Sequence, residues 1–535
     1  MSEAVADTQP LFHSPLGLFD FQAEGVARTY WEWTEGTIPS RLALWDTGIG
    51  KTVLGLASLA LAFEDDLIDI AVVVVEANKV LDWATEDTPK FTDLTVLPYR
   101  GDPKRRKNIL ANPPQVLVTS WQTSRNDIGT MKVRGRSVQD PGILTEFLKG
   151  KRVAFIFDEF SALRSRSSKT YIAWEYLLRT LRKTPYPPKC LALTATSVER
   201  APEDHFNACR LIAPTLAPTV EYFYSTYVRA WDYNDNPIDW HNLTAADTVP
   251  GVIPLNQVFA PITSRKRKTD PDVIDQFPTR MENPPTYVDL HAPHKRLYDM
   301  VEEIFRADGV DELVQKQGFG LLRQLANHPM SLLASQGEYA RQVVNGVGRA
   351  YIESLAVAKV EAMLEWQARM ADQQTVIFTF YGQSVLPLLE HYLRGEGYRV
   401  VVNHGAMSAE ARQASQHAFK SGDAQIFLSS DAGAKGLNLG CGSGLLHYEL
   451  PVLPSTYVQR SDRIHRIDSK HPSVTIDSLI ARDTLEHPMA LKMLKRNEWG
   501  EKVMDADYDD AAGDPGERYL RASDRLALFR RAAKR

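Results

Sequence analysis

Leu42-Ala43-Leu44-Trp45-Asp46-Thr47-Gly48-Ile49-Gly50-Lys51-Thr52 is the stretch on which the fold turns. The apolar run Leu42–Trp45 predicts a buried strand. Gly48 and Gly50 predict a turn, and Lys51-Thr52 opens a run, Val53–Leu61, with helical spacing. Strand, glycine turn and helix in that order make an anion cradle: backbone N–H groups point inward and the helix N-terminus adds partial positive charge. In such a cradle Lys51 reaches the β- and γ-phosphates of ATP, and the Thr52 hydroxyl holds Mg2+. Trp45 stands where the full phosphate-loop pattern has glycine, so only Gly-x-Gly-Lys-Thr matches. A glycine turn before a core helix reads the same way, and the rest of the chain must decide.

At 535 residues the chain exceeds one core, and about two to four domains are expected. Hydrophobic content of 44% and charged content of 24% suit a soluble globular protein. Net charge is −5, from 62 basic and 67 acidic residues, so any nucleic-acid surface must be a local patch. Cys190, Cys209 and Cys441 have no metal spacing and suggest a reducing compartment without disulfides. The N-terminus lacks the apolar core of a signal peptide, and the longest aliphatic run, Ile70–Val75, is too short to cross a bilayer. A soluble, cytoplasmic protein with no membrane partner is expected (the host cytoplasm, if phage-encoded).

Residues 1–17 read as a tail, and a helical stretch follows Leu18–Gln22. Between residues 18 and 215, apolar runs at Leu42–Trp45, Ile70–Val75, Leu94–Pro98, Gln115–Thr119, Val153–Phe157 and Cys190–Leu193 alternate with helical patterns. Nearly continuous apolar runs mark parallel strands covered on both faces, which predicts a doubly wound lobe. Residues 216–350 read as a helical insertion opening on an aromatic cluster, Tyr222 to Trp240, whose better reading is packing rather than base stacking. The alternation returns over 351–490, with strands at Thr375–Phe380, Arg399–Asn403, Gln425–Ser429, Leu445–Leu450 and Ser473–Leu479. Residues 491–535 are an acidic, then basic tail. The fold class is therefore α/β, two doubly wound parallel-sheet lobes with a helical insertion between them.

Arg152–Phe157 is an apolar strand ending in Asp158-Glu159. A strand ending in two acids is common. Paired with the glycine loop, it places Asp158 to hold Mg2+ and Glu159 to orient and deprotonate water. Leu191–Leu193 ends in Thr194-Ala195-Thr196-Ser197, hydroxyls that relay a hydrogen bond or simply bond the local backbone. In Gln459-Arg460-Ser461-Asp462-Arg463-Ile464-His465-Arg466, helical spacing puts 459, 463 and 466 on one face. Arg463 and Arg466 are then candidate fingers for the γ-phosphate, with an exposed basic helix as the alternative.

The ordered set resembles superfamily-two helicases, and within them Swi/Snf-type double-stranded-DNA translocases, over residues 16–485. Leu18–Gln22 resembles the adenine-reading segment, with Phe21 and Gln22 in it. Asp46–Thr52 resembles motif I, which adds Asp46, Thr47, Gly48, Ile49 and Gly50 to the ATP contacts. Val72–Glu76 with Val80–Trp83 resembles motif Ia, Asp158–Ser161 motif II, Leu193–Ser197 motif III and Val376–Phe380 motif IV. Ser429–Leu439 resembles motif V and Gln459–Arg466 motif VI, adding Gly436 and Gln459. Leu322–Pro329 (Leu-Arg-Gln-Leu-Ala-Asn-His-Pro) and the basic segment Thr263–Pro278 are similar to Swi/Snf linker elements. Phe160-Ser161 stands where Ala-His is usual, and Ile467-Asp468 where Gly-Gln is common. The resemblance implies two RecA-like lobes in a minimal bacterial or phage-like motor.

It further implies ATP and Mg2+ as cofactors, and DNA as a partner gripped through its backbone without sequence preference. Thr119, Thr194, Thr196, Ser430 and Lys435 are the implied nucleic-acid contacts, with basic clusters at 104–107, at Arg164, Arg166 and Lys169, and at 265–268. The expected function is ATP-dependent translocation along DNA. Alternatives are a strand-separating helicase on RNA or forked DNA and a nucleotide-regulated DNA-binding subunit of a larger complex. A free-standing P-loop kinase would leave the second lobe unexplained.

Overall fold

A computed structural model describes residues 11–13, 17–131, 137–306, 312–335, 337–370, 372–431, 437–467 and 469–504. It divides into two compact units. One holds the chain up to Ile274 and from Asn497 on, and the other holds Asp275–Arg496.

The first unit is built on a seven-stranded sheet whose pairings are all parallel. Its strands are β1 (Ser40–Trp45), β2 (Ile70–Val75), β3 (Val96–Pro98) and β4 (Val116–Ser120), then, after a small hairpin of β5 (Gly129–Met131) and β6 (Val138–Pro141), β7 (Val153–Asp158) and β8 (Lys189–Thr194). A second hairpin, β9 (Val228–Trp231) with β10 (Pro237–Trp240), precedes the last strand, β11 (Thr263–Lys266). The order is β11-β1-β8-β7-β2-β4-β3. Leu42, Val72, Phe155 and Phe157 pack on one face with Trp174 and Leu177. Ala43, Val73, Ile156 and Leu193, pointing the other way, are equally inaccessible. There helix α2 (Lys51–Glu64) lies so close that a Cβ on Gly55 would sit 3.3 Å from Ile156. Burial on both faces explains the unbroken apolar runs.

Residues 216–350, expected as one insertion, are divided between the units. Phe223, Tyr227 and Trp240 are buried in the core of the first, Phe223 stacking on Phe206 with centroids 3.9 Å apart. Tyr222, Trp231 and Tyr233 remain outside, Tyr233 at 95% exposure. The segment ends in β11, which extends the sheet beside β1. Its sequence, Thr-Ser-Arg-Lys, has none of the apolar signal that marked the other strands.

The second unit carries β12 (Thr279–Glu282), β13 (Thr286–Val288), β14 (Thr375–Thr379), β15 (Val400–Asn403), β16 (Ile426–Ser430), β17 (Gly444–His447) and β18 (Ser473–Ala481). Their order is β12-β18-β17-β14-β16-β15, with β13 also on β18, and every pairing is parallel. One core layer holds Ile377, Leu428 and Leu446, and the opposite layer holds Val376, Phe427 and Leu445. A third cluster, around Tyr298 and Leu325, comes from the helical part of the insertion. The two doubly wound parallel-sheet lobes read from the sequence are present. No helix among the described residues is long and apolar enough to cross a membrane.

Candidate nucleotide site

The glycine loop leaves the carboxyl end of β1 and enters α2 at Lys51, with Gly50 as N-cap at φ 98°. Gly48 is also left-handed, at φ 84°, with nothing near its Cβ position. Helix α1 (Asp20–Thr34) braces the loop from behind. Its Gln22 accepts the Phe19 N–H at 3.1 Å and donates to the Ile49 carbonyl at 2.9 Å. Both ends of the amide expected to read adenine are thus engaged by the backbone. Phe21, 3% exposed, lies edge-on to Trp45, and a Cβ on Gly25 would fall 2.5 Å from the Trp45 ring. Trp45, in the place of the pattern's first glycine, is therefore the surface on which α1 seats.

Asp46 binds the other side of the loop. Its carboxylate accepts the Lys268 N–H at 3.0 Å and lies 3.7 Å from the Arg265 guanidinium. Arg265 also donates to Ala195 O at 3.1 Å, and Lys266 pairs with Asp272 at 2.9 Å. The 265–268 cluster, expected to grip DNA, is largely spent on its own lobe; Lys268 is only 6% exposed. Lys51 Nζ donates to the carbonyls of Trp45 at 2.8 Å and Asp46 at 3.1 Å. Ile49 is buried, whereas Thr47 and Thr52 are partly open.

The sheet order brings the second half of the site near. β8 alone separates β1 from β7, and Asp158 is the last residue of β7. The Asp158 carboxyl is pushed up to about 7, first by desolvation and then by the Glu159 charge. Lys51, Lys79 and a hydrogen bond from Trp83 act against that rise. Glu159 follows at φ 51°, a left-handed conformation that side chains rarely adopt. It turns the chain sharply out of the strand. Trp83 and Lys79 were not assigned from sequence. Their signal was the segment Val80–Trp83, which a π-turn over Asp82–Asp87 wraps toward the acid. Phe160 is 1% exposed and packs on Phe157, a core residue at the motif II departure. Ser161 bonds Glu199, whose carboxylate meets Arg164 at 2.6 Å.

These residues fit ATP with Mg2+. No group of three metal-binding side chains exists among the described residues. Mg2+ does not require one, because it takes one or two protein ligands and completes its shell with phosphates and water. A carboxyl with a raised pKa is an anion short of a cation, and Asp158 lies within electrostatic reach of Lys51.

The expected nucleic-acid contacts fare less well. Thr119 is fully buried and donates to Tyr99 O at 3.1 Å, and buried Thr194 donates to Thr196 O at 2.7 Å. Ser430 is 2% exposed. Burial corrects all three: their hydroxyls do not reach a surface. Thr196 is partly open, and Lys435 and Gly436 lie outside the described residues. Lys104, Arg105, Lys107, Arg166 and Lys169 are exposed.

In the second unit, the helix that begins the Gln459–Arg466 stretch is Pro454–Ser461. Arg463 and Arg466 lie on turns beyond its end, which corrects the expected single helical face; Gln459 alone of the three is helical. Both arginines point to one acceptor, the Leu437 carbonyl, at 3.2 and 3.5 Å. The Leu439 N–H returns a bond to Arg463 O at 3.1 Å.

Comparison with known proteins agrees with this anatomy. The SNF2-related domain matches residues 21–333, and the helicase conserved C-terminal domain matches 357–468. The chain belongs to the SNF2-related family of superfamily-two helicases and carries that superfamily's ATPase domains. It is similar to nuclear protein STH1/NPS1 of Saccharomyces cerevisiae, with 22% identity over 86% of this chain and 33% of that one. An uncharacterized ATP-dependent helicase of Mycoplasma pneumoniae is 21% identical over 92% of this chain and 42% of its own length. The chain thus spans about a third to two-fifths of these relatives. A solved Sulfolobus solfataricus SWI2/SNF2 ATPase core in complex with dsDNA aligns over 98% of this chain and all of that one, with 17% identity and a TM-score of 0.41.

Proposed function

We propose that the chain couples ATP hydrolysis to movement along duplex DNA. The observation that carries this reading is Lys51, at the start of α2 where the glycine loop leaves β1, within electrostatic reach of Asp158 at the end of β7, in a chain with both SNF2-related and helicase C-terminal domains. Lys51 and the loop N–H groups hold the phosphates. Thr52 and Asp158 would hold Mg2+, whose charge would offset that of the phosphates, and Glu159 orients and deprotonates the attacking water. Arg463 and Arg466 supply the second lobe's charge to the γ-phosphate. Exposed basic residues, among them Lys104, Arg105 and Lys107, give backbone contacts that are non-specific and salt-sensitive.

The test measures ATP turnover with no nucleic acid, single-stranded DNA, duplex DNA and RNA in parallel, followed by triplex displacement. Stimulation by duplex with displacement of a third strand is the expected result. Stimulation by RNA or forks, with unwinding, would replace the proposal with a strand-separating helicase. Turnover indifferent to nucleic acid would favour a regulated subunit.

A further inference from the structure

Between the carboxyl ends of interior strands of the second unit's sheet and the Gln459–Arg466 stretch lies a buried ion cluster to which the nucleotide reading gives no role. Arg460, the penultimate residue of the helix Pro454–Ser461, is 1% exposed. Its Nε donates to Asp431 at 2.6 Å, one residue past the end of β16. Nη1 donates to Glu449 O at 3.1 Å, and Nη2 lies 3.8 Å from the Glu449 carboxylate. The guanidinium also sits over the Phe378 ring, 5.5 Å from its centroid.

Glu449 has no accessible surface, and burial raises its carboxyl against the opposing charges of Arg460, Arg323 and Lys359. It accepts the Thr379 hydroxyl at 3.0 Å and the Phe380 N–H, both at the end of β14. One guanidinium therefore ties together the carboxyl ends of β14 and β16 and the chain just past β17. A buried ion pair is a poor source of net stability but a strict geometric constraint, because each charge tolerates only the arrangement that satisfies it.

The same stretch meets Leu437 through Arg463 and Arg466. Residues 431 and 437 are thus both held by arginines from a run of seven residues, and Arg460 is the one whose own position the sheet dictates.

We propose that Arg460 is a positioning residue for the second lobe's part in ATP hydrolysis: bridging Asp431 and Glu449, it sets where Arg463 and Arg466 leave the helix. This rests on the proposed role of those two arginines. Misplacing a transition-state group by about 1 Å costs about 100-fold in rate. Because the interaction is made in the transition state, kcat falls while nucleotide affinity holds.

The experiment compares the full chain with Arg460→Lys, Asp431→Asn and Arg466→Ala, and with each of the first two combined with Arg466→Ala. Asp431→Asn is the milder variant for folding, since its side chain is 24% exposed, the amide oxygen can still accept the Arg460 Nε–H, and Glu449 remains as a counter-charge to the buried guanidinium. Turnover, nucleotide affinity and Tm are measured for each. The expected result is a kcat lowered about 10- to 100-fold in Asp431→Asn and Arg460→Lys, with affinity and Tm near wild type. Each change should add less than its full factor to the loss in Arg466→Ala, because part of its effect runs through that arginine and only the part through Arg463 remains. Turnover within twofold of wild type in folded Asp431→Asn and Arg460→Lys, with Arg466→Ala impaired, overturns the inference and leaves the nucleotide reading intact. Losses that multiply in full with that of Arg466→Ala overturn it too. Normal turnover in Arg466→Ala removes the arginine reading itself, and this inference with it.

Discussion

The Gln22 side-chain nitrogen reaches the Ile49 carbonyl at 2.9 Å and fills the space a Cβ on Gly50 would need, 2.2 Å from that position. The adenine-segment glutamine and the phosphate-loop glycine are thus one packed unit. Gly50→Ala adds this clash to a left-handed φ, a strain of about 1–3 kcal/mol. ATP binding should weaken about tenfold or more, and Gln22→Ala in the same chain should restore part of it by vacating the space. Calorimetric titration of the single and double variants checks both. Equal affinity of Gly50→Ala and wild type would refute the packing argument.

Lys51→Ala should abolish turnover, and Arg466→Ala should retain nucleotide binding while losing about a thousandfold in rate. A coupled phosphate-release assay beside a fluorescent-nucleotide binding curve separates the two. Normal hydrolysis in Arg466→Ala would mean that the second lobe is not catalytic.

Asp158 gives a pH dependence with a definite sign. Its ordinary value is 3.8 and the folded protein raises it to about 7. Between about pH 4 and 7 the folded state keeps a proton that the unfolded chain has lost, so this group's contribution to stability falls as pH rises. Asp158→Asn, inactive in turnover, should melt about 3 °C or more above wild type at pH 8 and close to it near pH 4, without nucleotide. Mg2+-ATP binding should release a proton below pH 7, because a metal ligand must be ionised. Scanning fluorimetry at the two pH values is the check; a Tm difference independent of pH would place the strain elsewhere.

In the second unit, Lys359 is completely buried and meets Glu486 at 2.6 Å, with Asn327 Oδ1 at 2.9 Å. Lys359→Ala strands the carboxylate and should cost about 3–5 kcal/mol. Lys359→Met combined with Glu486→Gln removes both charges and should recover most of that. Urea unfolding followed by circular dichroism measures the difference. An alanine variant as stable as wild type would show that the buried pair imposes no such constraint.

Legibility in the sequence followed chemistry closely. Ile70–Val75 was read with its observed ends because six consecutive buried aliphatics have few alternatives. The strands β11, β12 and β13 were invisible: Thr-Ser-Arg-Lys and Thr-Arg-Met-Glu join their sheets through hydrogen bonds and ion pairs, and Thr-Tyr-Val is too short for its one core residue, Val288, to stand out. Gly50, Lys51 and Asp158 could be singled out from sequence because a phosphate and its metal demand particular side chains at particular spacings. Trp83 beside Asp158, Arg265 beside Asp46 and Arg460 beside Asp431 were not, since their partners are distant in the chain. The turns carrying Arg463 and Arg466 share their spacing with a helix that stops at Ser461.

Lys51 has two carbonyls of its own loop inside hydrogen-bond range. An incoming phosphate therefore wins the ammonium by exchange, and must outcompete neutral oxygens with full negative charge. A lone orthophosphate supplies less of that charge than a triphosphate does. Replacing both carbonyls takes two or more anionic oxygens presented together, a demand that a polyphosphate chain meets better than a single small anion.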